Sequence, residues 1–443
     1  MTRIVGSRLD PWVDSYAART SSMTVSEIRS LFAVASRPEV VSLAGGMPYV
    51  NALPMEQLAD TVQRMIKEQG AVALQYGSGQ GDPVLREQIT EVMSLVGIHA
   101  HPDDIVVTAG SQMALDLMVR VFCNPGDVVL VEAPSYVGAL GVFRAYEADV
   151  VHVAMDDEGL NPDALQETIT AVRAQGKNIK LLYTIPSYHN PGGISQGPER
   201  RQQILDIAKR EHILLLEDDP YGLLGFDAQT PRAIRADDAE HVVYLGSFSK
   251  TIASGLRVGW ALAPHAIREK LVIAAESAIL CPSNFTQMTV SRYLATQPWK
   301  EQIKSFREVY HERRDALLDS MEALMPTGTT WTKPTGGFYS WLTLPEGVDA
   351  KAMLPRAVTA LVAYVPGTGF YVNGEGRGEM DGNGHARPLM DAPALDHRGE
   401  RRAGVDPRGA RPRGTHPALA GLRAGGRGRR ASGVHAAGSA GLR

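Results

Sequence analysis

Residues 242–250 read VVYLGSFSK, a β-branched apolar run that empties into a small, hydroxyl-rich loop ending on Lys250. A run that is apolar at consecutive positions predicts a strand buried on both faces, as in a parallel sheet covered by helices. Six more runs share this character: DIVVT (104–108), DVVLVE (127–132), DVVHV (149–153), IKLLYT (179–184), ILLLE (213–217) and RVGWALA (257–263). Between them lie helical segments such as SQMALDLMVRVF (111–122), in which Ala114, Leu117, Met118 and Val121 share one face. Strand and helix alternating over this length predict an α/β fold, its large domain built on a mostly parallel seven-stranded sheet covered by helices.

Outward from that block the pattern changes. The short helical candidate SEIRSLFAVAS (26–36) and the loop LAGGMP (43–48) form an N-terminal segment, 1–48, assigned to a smaller domain. The large domain is expected over 49–315. Over 316–380 a smaller α/β domain follows: strand FYSWLTL, a helix over DAKAMLPRAVTAL interrupted at Pro355, and strand VAYVPG. Residues 381–443 break the pattern, with 13 Gly, 12 Ala, 12 Arg and 5 Pro but no Ile, Phe, Tyr, Trp or Lys. That composition builds no core; it suits a disordered basic tail or the out-of-frame reading of a GC-rich gene, the abrupt change at Asp381 favouring the second.

The chain has 443 residues, 44% hydrophobic and 21% charged, enough for two or three domains with a sizeable core. Its net charge of −4 is unevenly spread: the last 63 residues hold 12 Arg against 5 Asp/Glu, which leaves −11 on residues 1–380. An acidic body argues against nucleic acid or an anionic membrane as partner. Cys123 and Cys281 make neither a disulfide framework nor a zinc site. The N-terminus lacks an apolar signal region, and no apolar run approaches the roughly 18 residues of a span. A soluble, cytoplasmic protein is expected.

The chemistry gathers at strand ends. Lys250 follows VVYLG with Ser247 and Ser249 beside it, and Arg257 offers a bidentate phosphate clamp. Gly110-Ser111-Gln112 joins DIVVT to a helix whose first N–H groups attract a phosphate. Asn190 stands in NPGG after IKLLYT, and Tyr136 follows DVVLVE, where its ring can stack on a flat ligand. Glu217, Asp218 and Asp219 end ILLLE; three adjacent carboxylates repel one another unless a cation faces them, and no histidine stands at metal-ligand spacing. Each signal alone also suits a plain turn or a solvated loop. Together, a lysine, an acid, an amide, an aromatic and a phosphate cup at successive strand ends suit pyridoxal 5′-phosphate.

With those residues in hand, the sequence resembles the fold-type I, class I/II aminotransferases, nearest the 2-aminoadipate/kynurenine branch. The resemblance rests on eight motifs in family order over about residues 26–378: IRSLF…SLAGGMP, ALQYGSGQGDPVLRE, TAGSQMALDL, LVEAPSY, TIPSYHNPGG, LEDDPYG, LGSFSKTIASGLRVGW and KPTGGFYSW. It implies that Lys250 forms a Schiff base with pyridoxal phosphate and shuttles the α-proton. It implies that Asp218 pairs with the pyridinium nitrogen, that Asn190 and Tyr221 bond the ring hydroxyl, and that Tyr136 stacks on the ring. Ser111, Gln112, Ser247, Ser249 and Arg257 would hold the phosphate, with Tyr76 reaching across from the second subunit of a homodimer. Gly46 would lie against the substrate carboxylate. Arg29 is a candidate for the distal carboxylate of an acidic substrate, against the plainer reading of a solvated helix arginine.

One departure stands out. After the Phe370–Gly376 stretch the family continues into a strand reading roughly M-R-L-S, whose arginine grips the substrate α-carboxylate. Here Met380 is followed by Asp381, no matching strand is expected next, and nothing local supports Arg387 as a substitute. The activity implied is amino-group transfer from an amino acid to a 2-oxo acid, 2-oxoglutarate by preference. The alternatives are a cofactor-binding protein with impaired turnover, and a lyase or decarboxylase on the same scaffold. Regulators with an aminotransferase-like domain carry more than 100 residues of DNA-binding domain and linker ahead of it, against about 25 here before SEIRSLF.

Overall fold

The strands alternate their side chains between two separate apolar cores, and that alternation sets the architecture. In the computed structural model, which describes residues 10–23, 37–44, 46–226, 230–372 and the backbone of 388–391, the strands are β1 (Val41–Ser42), β2 (Ile105–Thr108), β3 (Val128–Ala133), β4 (Asp149–Asp156), β5 (Gly159–Leu160), β6 (Ile179–Thr184), β7 (Leu214–Asp218), β8 (Val242–Ser247) and β9 (Gly259–Leu262), followed by β10 (Thr330–Trp331), β11 (Tyr339–Thr343), β12 (Val362–Ala363), β13 (Val365–Pro366) and β14 (Pro388–Asp391). The helix expected over 26–36 with Arg29, together with Asp381 and Arg387, lies outside the described residues. The chain divides into two units, Met1–His397 and Arg398–Arg443, and every described residue belongs to the first.

The main sheet has the order β2-β9-β8-β7-β6-β3-β4-β5. All seven strands read from the sequence are present. The eighth, β5, is a two-residue edge piece antiparallel to β4, too short to register as a run. Strands β8, β7, β6, β3 and β4 are parallel neighbours, while β9 runs antiparallel between β8 and β2. Val129 and Val131 of β3 join one core with Leu115, Phe143 and Leu271 from helices Ser111–Phe122, Val137–Ala145 and His265–Ile279. Val128 and Leu130 join the other, with Leu165 and Ile204 from helices Pro162–Ala174 and Pro198–Arg210. Winding reverses between β3 and β6, so the carboxyl ends of β3, β6, β7 and β8 flank the crevice where such sheets bind ligands.

Three expectations for the smaller sheet are corrected. The helix Ala350–Thr359 runs through Pro355 unbroken: one ring among ten residues removes a single helical donor. The run VAYVPG is two strands in different sheets, since β12 pairs parallel with β1 while β13 pairs with β14. A strand does follow Met380: β14 lies antiparallel between β11 and β13 in the order β10-β11-β14-β13. Backbone pairing asks little of side chains, so a strand inside an Arg/Gly/Ala-rich stretch left no mark in the composition. The boundary expected at 315 falls within the single helix Trp299–Leu324.

Candidate active site

Lys250 sits in a π-helical turn, Ser249–Ala253, immediately beyond β8. Such turns widen the helix and often mark functional positions. Its Nζ donates to the Gly46 carbonyl at 2.6 Å and lies 5.4 Å from the centre of the Phe338 ring. Gly46 has φ +56°, and a Cβ there would meet the Tyr339 hydroxyl at 2.0 Å, so only glycine fits between this loop and β11.

At the neighbouring strand end, Glu217 and Asp218 point to opposite faces of β7, as consecutive strand residues must. Glu217 turns toward Arg201 and accepts from the amides of Ile234 and Arg235. Asp218 accepts from the Tyr183 hydroxyl at 2.8 Å through Oδ2, while its buried Oδ1 has no partner among the described residues. Burial pushes the Asp218 carboxyl up to about 7; the Asp219 charge adds to this and the Tyr183 hydrogen bond opposes it. Asp219 is otherwise engaged: Oδ1 accepts from Gly222 N at 2.7 Å and Oδ2 from the Tyr244 hydroxyl at 3.1 Å. Of the three acids, Asp218 is the one with an oxygen left for a ligand donor.

Opposite the acid, Asn190 Nδ2 donates to the Tyr221 hydroxyl at 3.5 Å, which in turn donates to the Tyr339 hydroxyl at 3.3 Å. Asn190 Oδ1 is buried without a partner. Tyr136, at the start of helix Val137–Ala145, donates to Gln112 Oε1 at 3.1 Å, and Gln112 Nε2 donates to the Gly138 carbonyl. Burial pushes the Tyr136 phenol up to about 12, with the Asp218 charge adding and Arg257 opposing.

Arg257 ties the loop after β8 to the start of helix Ser111–Phe122. It donates to the Ala109 carbonyl at 2.9 Å and to Ser249 Oγ at 3.4 Å, while Ser249 N donates to Ser247 Oγ. The backbones are packed hard: a Cβ on Gly259 would come within 2.6 Å of Ser111 N, and one on Gly110 within 2.4 Å of the Arg257 guanidinium. Ser111, Gln112, Ser247, Ser249 and Arg257 thus converge around one helix N-terminus, whose N–H groups and dipole suit an anion.

The structure therefore gathers Lys250, Asp218, Tyr221, Asn190, Tyr136, Gly46 and the five anion-cup residues at one end of the sheet. It does not bring Tyr76 to them within one chain: that ring is 76% exposed. Sequence reasoning missed Tyr183 and Tyr339. The first carried a signal, a phenol inside the buried run IKLLYT that needs an acceptor; Tyr339 carried none beyond its motif.

The sequence model of the family described as aminotransferase class I and II matches residues 39–385. The chain belongs to that family. It is 41% identical over 368 residues to the aromatic-amino-acid aminotransferase 1 of Thermococcus litoralis, covering 82% of this chain and 88% of that one. To the 2-aminoadipate transaminase of Thermus thermophilus it is 36% identical over 374 residues, covering 83% and 91%. Among solved structures, the kynurenine aminotransferase of Pyrococcus horikoshii superposes with a TM-score of 0.81 at 37% identity, over 88% of this chain and 95% of that one. Family membership carries the cofactor read from the strand ends, pyridoxal 5′-phosphate. The residues present suit it: an unpartnered acid oxygen for a ring N–H, an unpartnered amide oxygen beside two phenols, and an anion cup next to a lysine. No group of His, Cys, Asp and Glu suited to a metal ion occurs among the described residues, and no helix among them is long and apolar enough to cross a membrane.

Proposed function

We propose that this aminotransferase moves the amino group of an amino acid with a large or long side chain to a 2-oxo acid, with 2-oxoglutarate the acceptor. The observation that carries the reading is the unpartnered, buried Oδ1 of Asp218 at the strand end next to the one bearing Lys250. The donor class follows the relatives, named for aromatic amino acids, 2-aminoadipate and kynurenine.

Bound pyridoxal phosphate supplies an electron sink for the substrate α-carbon. The work of the chain is positional and acid–base. Lys250 would bind the cofactor through Nζ and, once the substrate amine had displaced it, would take and return the proton at the α-carbon with that nitrogen. Asp218 accepts a hydrogen bond from the ring nitrogen and keeps it protonated; this charge partner offsets the burial that otherwise pushes the carboxyl up to about 7. Asn190 and Tyr221 hold the ring hydroxyl, Tyr136 covers one ring face, and Ser111, Gln112, Ser247, Ser249 and Arg257 hold the phosphate. Gly46 lines the path of the substrate carboxylate, and Arg29 takes the distal carboxylate of acidic donors.

A homodimer with shared sites goes with this reading. Exposed Tyr76, Leu74 and Val72 lie on one segment, at 76%, 73% and 58%, and Ile273 and Leu280 at 61% and 56% add apolar surface for a second copy. Tyr76 then reaches the phosphate in the partner site. Free Cys123 and Cys281 support a reducing, cytoplasmic setting.

The test is a donor panel with 2-oxoglutarate as acceptor: phenylalanine, tyrosine, kynurenine, 2-aminoadipate, aspartate and alanine. Turnover is expected for the aromatic donors and 2-aminoadipate. Arg29→Ala is expected to raise KM for 2-aminoadipate more than for phenylalanine. Release of ammonia or carbon dioxide without formation of glutamate would instead mark a lyase or decarboxylase. A second reading, tight cofactor binding with weak turnover, is favoured by Asp381, which follows Met380 where the family places a carboxylate-gripping arginine.

A further inference from the structure

Asn190 is held weakly by its own side chain. Its Oδ1 has no partner among the described residues, and its Nδ2 reaches Tyr221 only at 3.5 Å. Its placement therefore comes from the backbone of the loop after β6, and that loop is built around the preceding residue. His189 N donates to the Ile194 carbonyl at 2.8 Å, the His189 carbonyl accepts from Gly193 N at 2.7 Å, and Nδ1 accepts from Gly192 N at 3.0 Å. With Nδ1 an acceptor, the ring proton belongs on Nε2, which lies 3.1 Å from Glu132 Oε2, within ion-pair distance but not aligned as a hydrogen bond.

Glu132 is fully buried at the end of β3, on the face of the sheet away from Asp218. Its Oε1 accepts from Thr184 Oγ1 at 2.7 Å and Gln196 Nε2 at 3.0 Å, and its Oε2 accepts from Ile185 N at 2.9 Å. One carboxylate thus accepts from the first residue of the loop and from Gln196 near its end, with the ring of the histidine between them at contact distance. A charged acceptor converging several donors in a low-dielectric interior is strong and directional.

We propose that Glu132 and His189 are a positioning pair that orients Asn190 toward the ligand, acting through the loop backbone rather than by touching the ligand. The inference rests on the aminotransferase reading only in naming the pyridoxal phosphate ring hydroxyl as what Asn190 meets. In Glu132→Gln the amide NH2 faces two of the converging donors. In His189→Asn the carboxamide oxygen replaces Nδ1 but the contact to Glu132 is lost, whereas in His189→Gln the amide nitrogen replaces Nε2 and keeps it.

The experiment uses the full chain with pyridoxal phosphate and reads two signals, hydrogen exchange of the peptide spanning 185–196 and kcat with 2-oxoglutarate. Glu132→Gln and His189→Asn are each expected to speed exchange through 189–194 by about tenfold or more and to lower kcat by about tenfold. His189→Gln should stay within about threefold of the wild type in both. Added to Asn190→Ala, Glu132→Gln should lower kcat by no more than about a further twofold, because its effect runs through Asn190. Losses that multiply in the double variant, or exchange unchanged in Glu132→Gln, would overturn the proposal. If Glu132→Gln does not fold, the two histidine variants decide it: equal behaviour of Asn and Gln at 189 overturns the pair. A wild type that shows no cofactor absorption band would sink the functional reading instead, and the exchange measurement on the cofactor-free chain still decides this one.

Discussion

Asp218→Asn in the cofactor-free protein isolates the tension at the centre of the site. Asp218 is 4% exposed, and burial pushes its carboxyl from 3.8 to about 7. Three pH units correspond to about 4 kcal/mol of stability that the charged carboxylate withholds from the cofactor-free fold. The folded chain binds this proton more tightly than the unfolded chain. The penalty is therefore absent below pH about 4, grows between about 4 and 7, and is complete above 7. Asparagine removes the ionisation and keeps an acceptor for the Tyr183 hydroxyl, but it places an NH2 group where Oδ1 has no partner among the described residues, at a cost of about 1–2 kcal/mol. The net expectation is a gain of about 2–3 kcal/mol at pH 8 that disappears or reverses at pH 4. Urea unfolding of both cofactor-free proteins at the two pH values measures it, and the shifts of Glu217 and Asp219, common to both, largely cancel in the difference. With pyridoxal phosphate bound the sign reverses, since the ring N–H loses its counter-charge and turnover should fall by orders of magnitude. The same stability difference at both pH values would refute the reasoning, as would a less stable Asp218→Asn at pH 8.

Three further outcomes follow from single contacts. Tyr183→Phe removes the hydrogen bond that holds the Asp218 carboxyl down, so the acid limb of the pH–rate profile should move up by about one unit; an unmoved limb would show that Tyr183 is not coupled to turnover. Gly46→Ala puts a methyl 2.0 Å from the Tyr339 hydroxyl at φ +56°, and is expected to raise KM at least tenfold while the cofactor still binds; an unchanged KM would remove Gly46 from the substrate path. Asp381→Arg introduces the guanidinium that the motif resemblance expects at this position and should raise kcat/KM by about tenfold or more; no gain would show that the α-carboxylate is held elsewhere.

Much of the fold was legible because a strand buried on both faces must be apolar throughout, and seven such runs stand between helical segments. What escaped had no such signature. β5 is two residues long, Pro355 costs its helix only one bond, and β12 and β13 share one apolar run while pairing in different sheets. β14 lies in a stretch whose composition reads as tail, yet backbone pairing asks little of side chains. At the site, position along the chain located Lys250, Asn190 and Tyr136 at strand ends, but adjacency alone could not separate Asp218 from Asp219. Their distinction lies in partners from distant segments, Tyr183 for one and Gly222 with Tyr244 for the other. Glu132 ends the run DVVLVE without any signal of its own, because its meaning depends on a histidine that follows β6.

The central claim is that Lys250 carries pyridoxal phosphate. Borohydride reduction of the protein loaded with pyridoxal phosphate, followed by peptide mass mapping, tests it directly. The account predicts loss of the visible absorption band and a single phosphopyridoxyl label on the peptide containing Lys250, absent in Lys250→Ala. A label on another lysine, or a band that survives in Lys250→Ala, would contradict it.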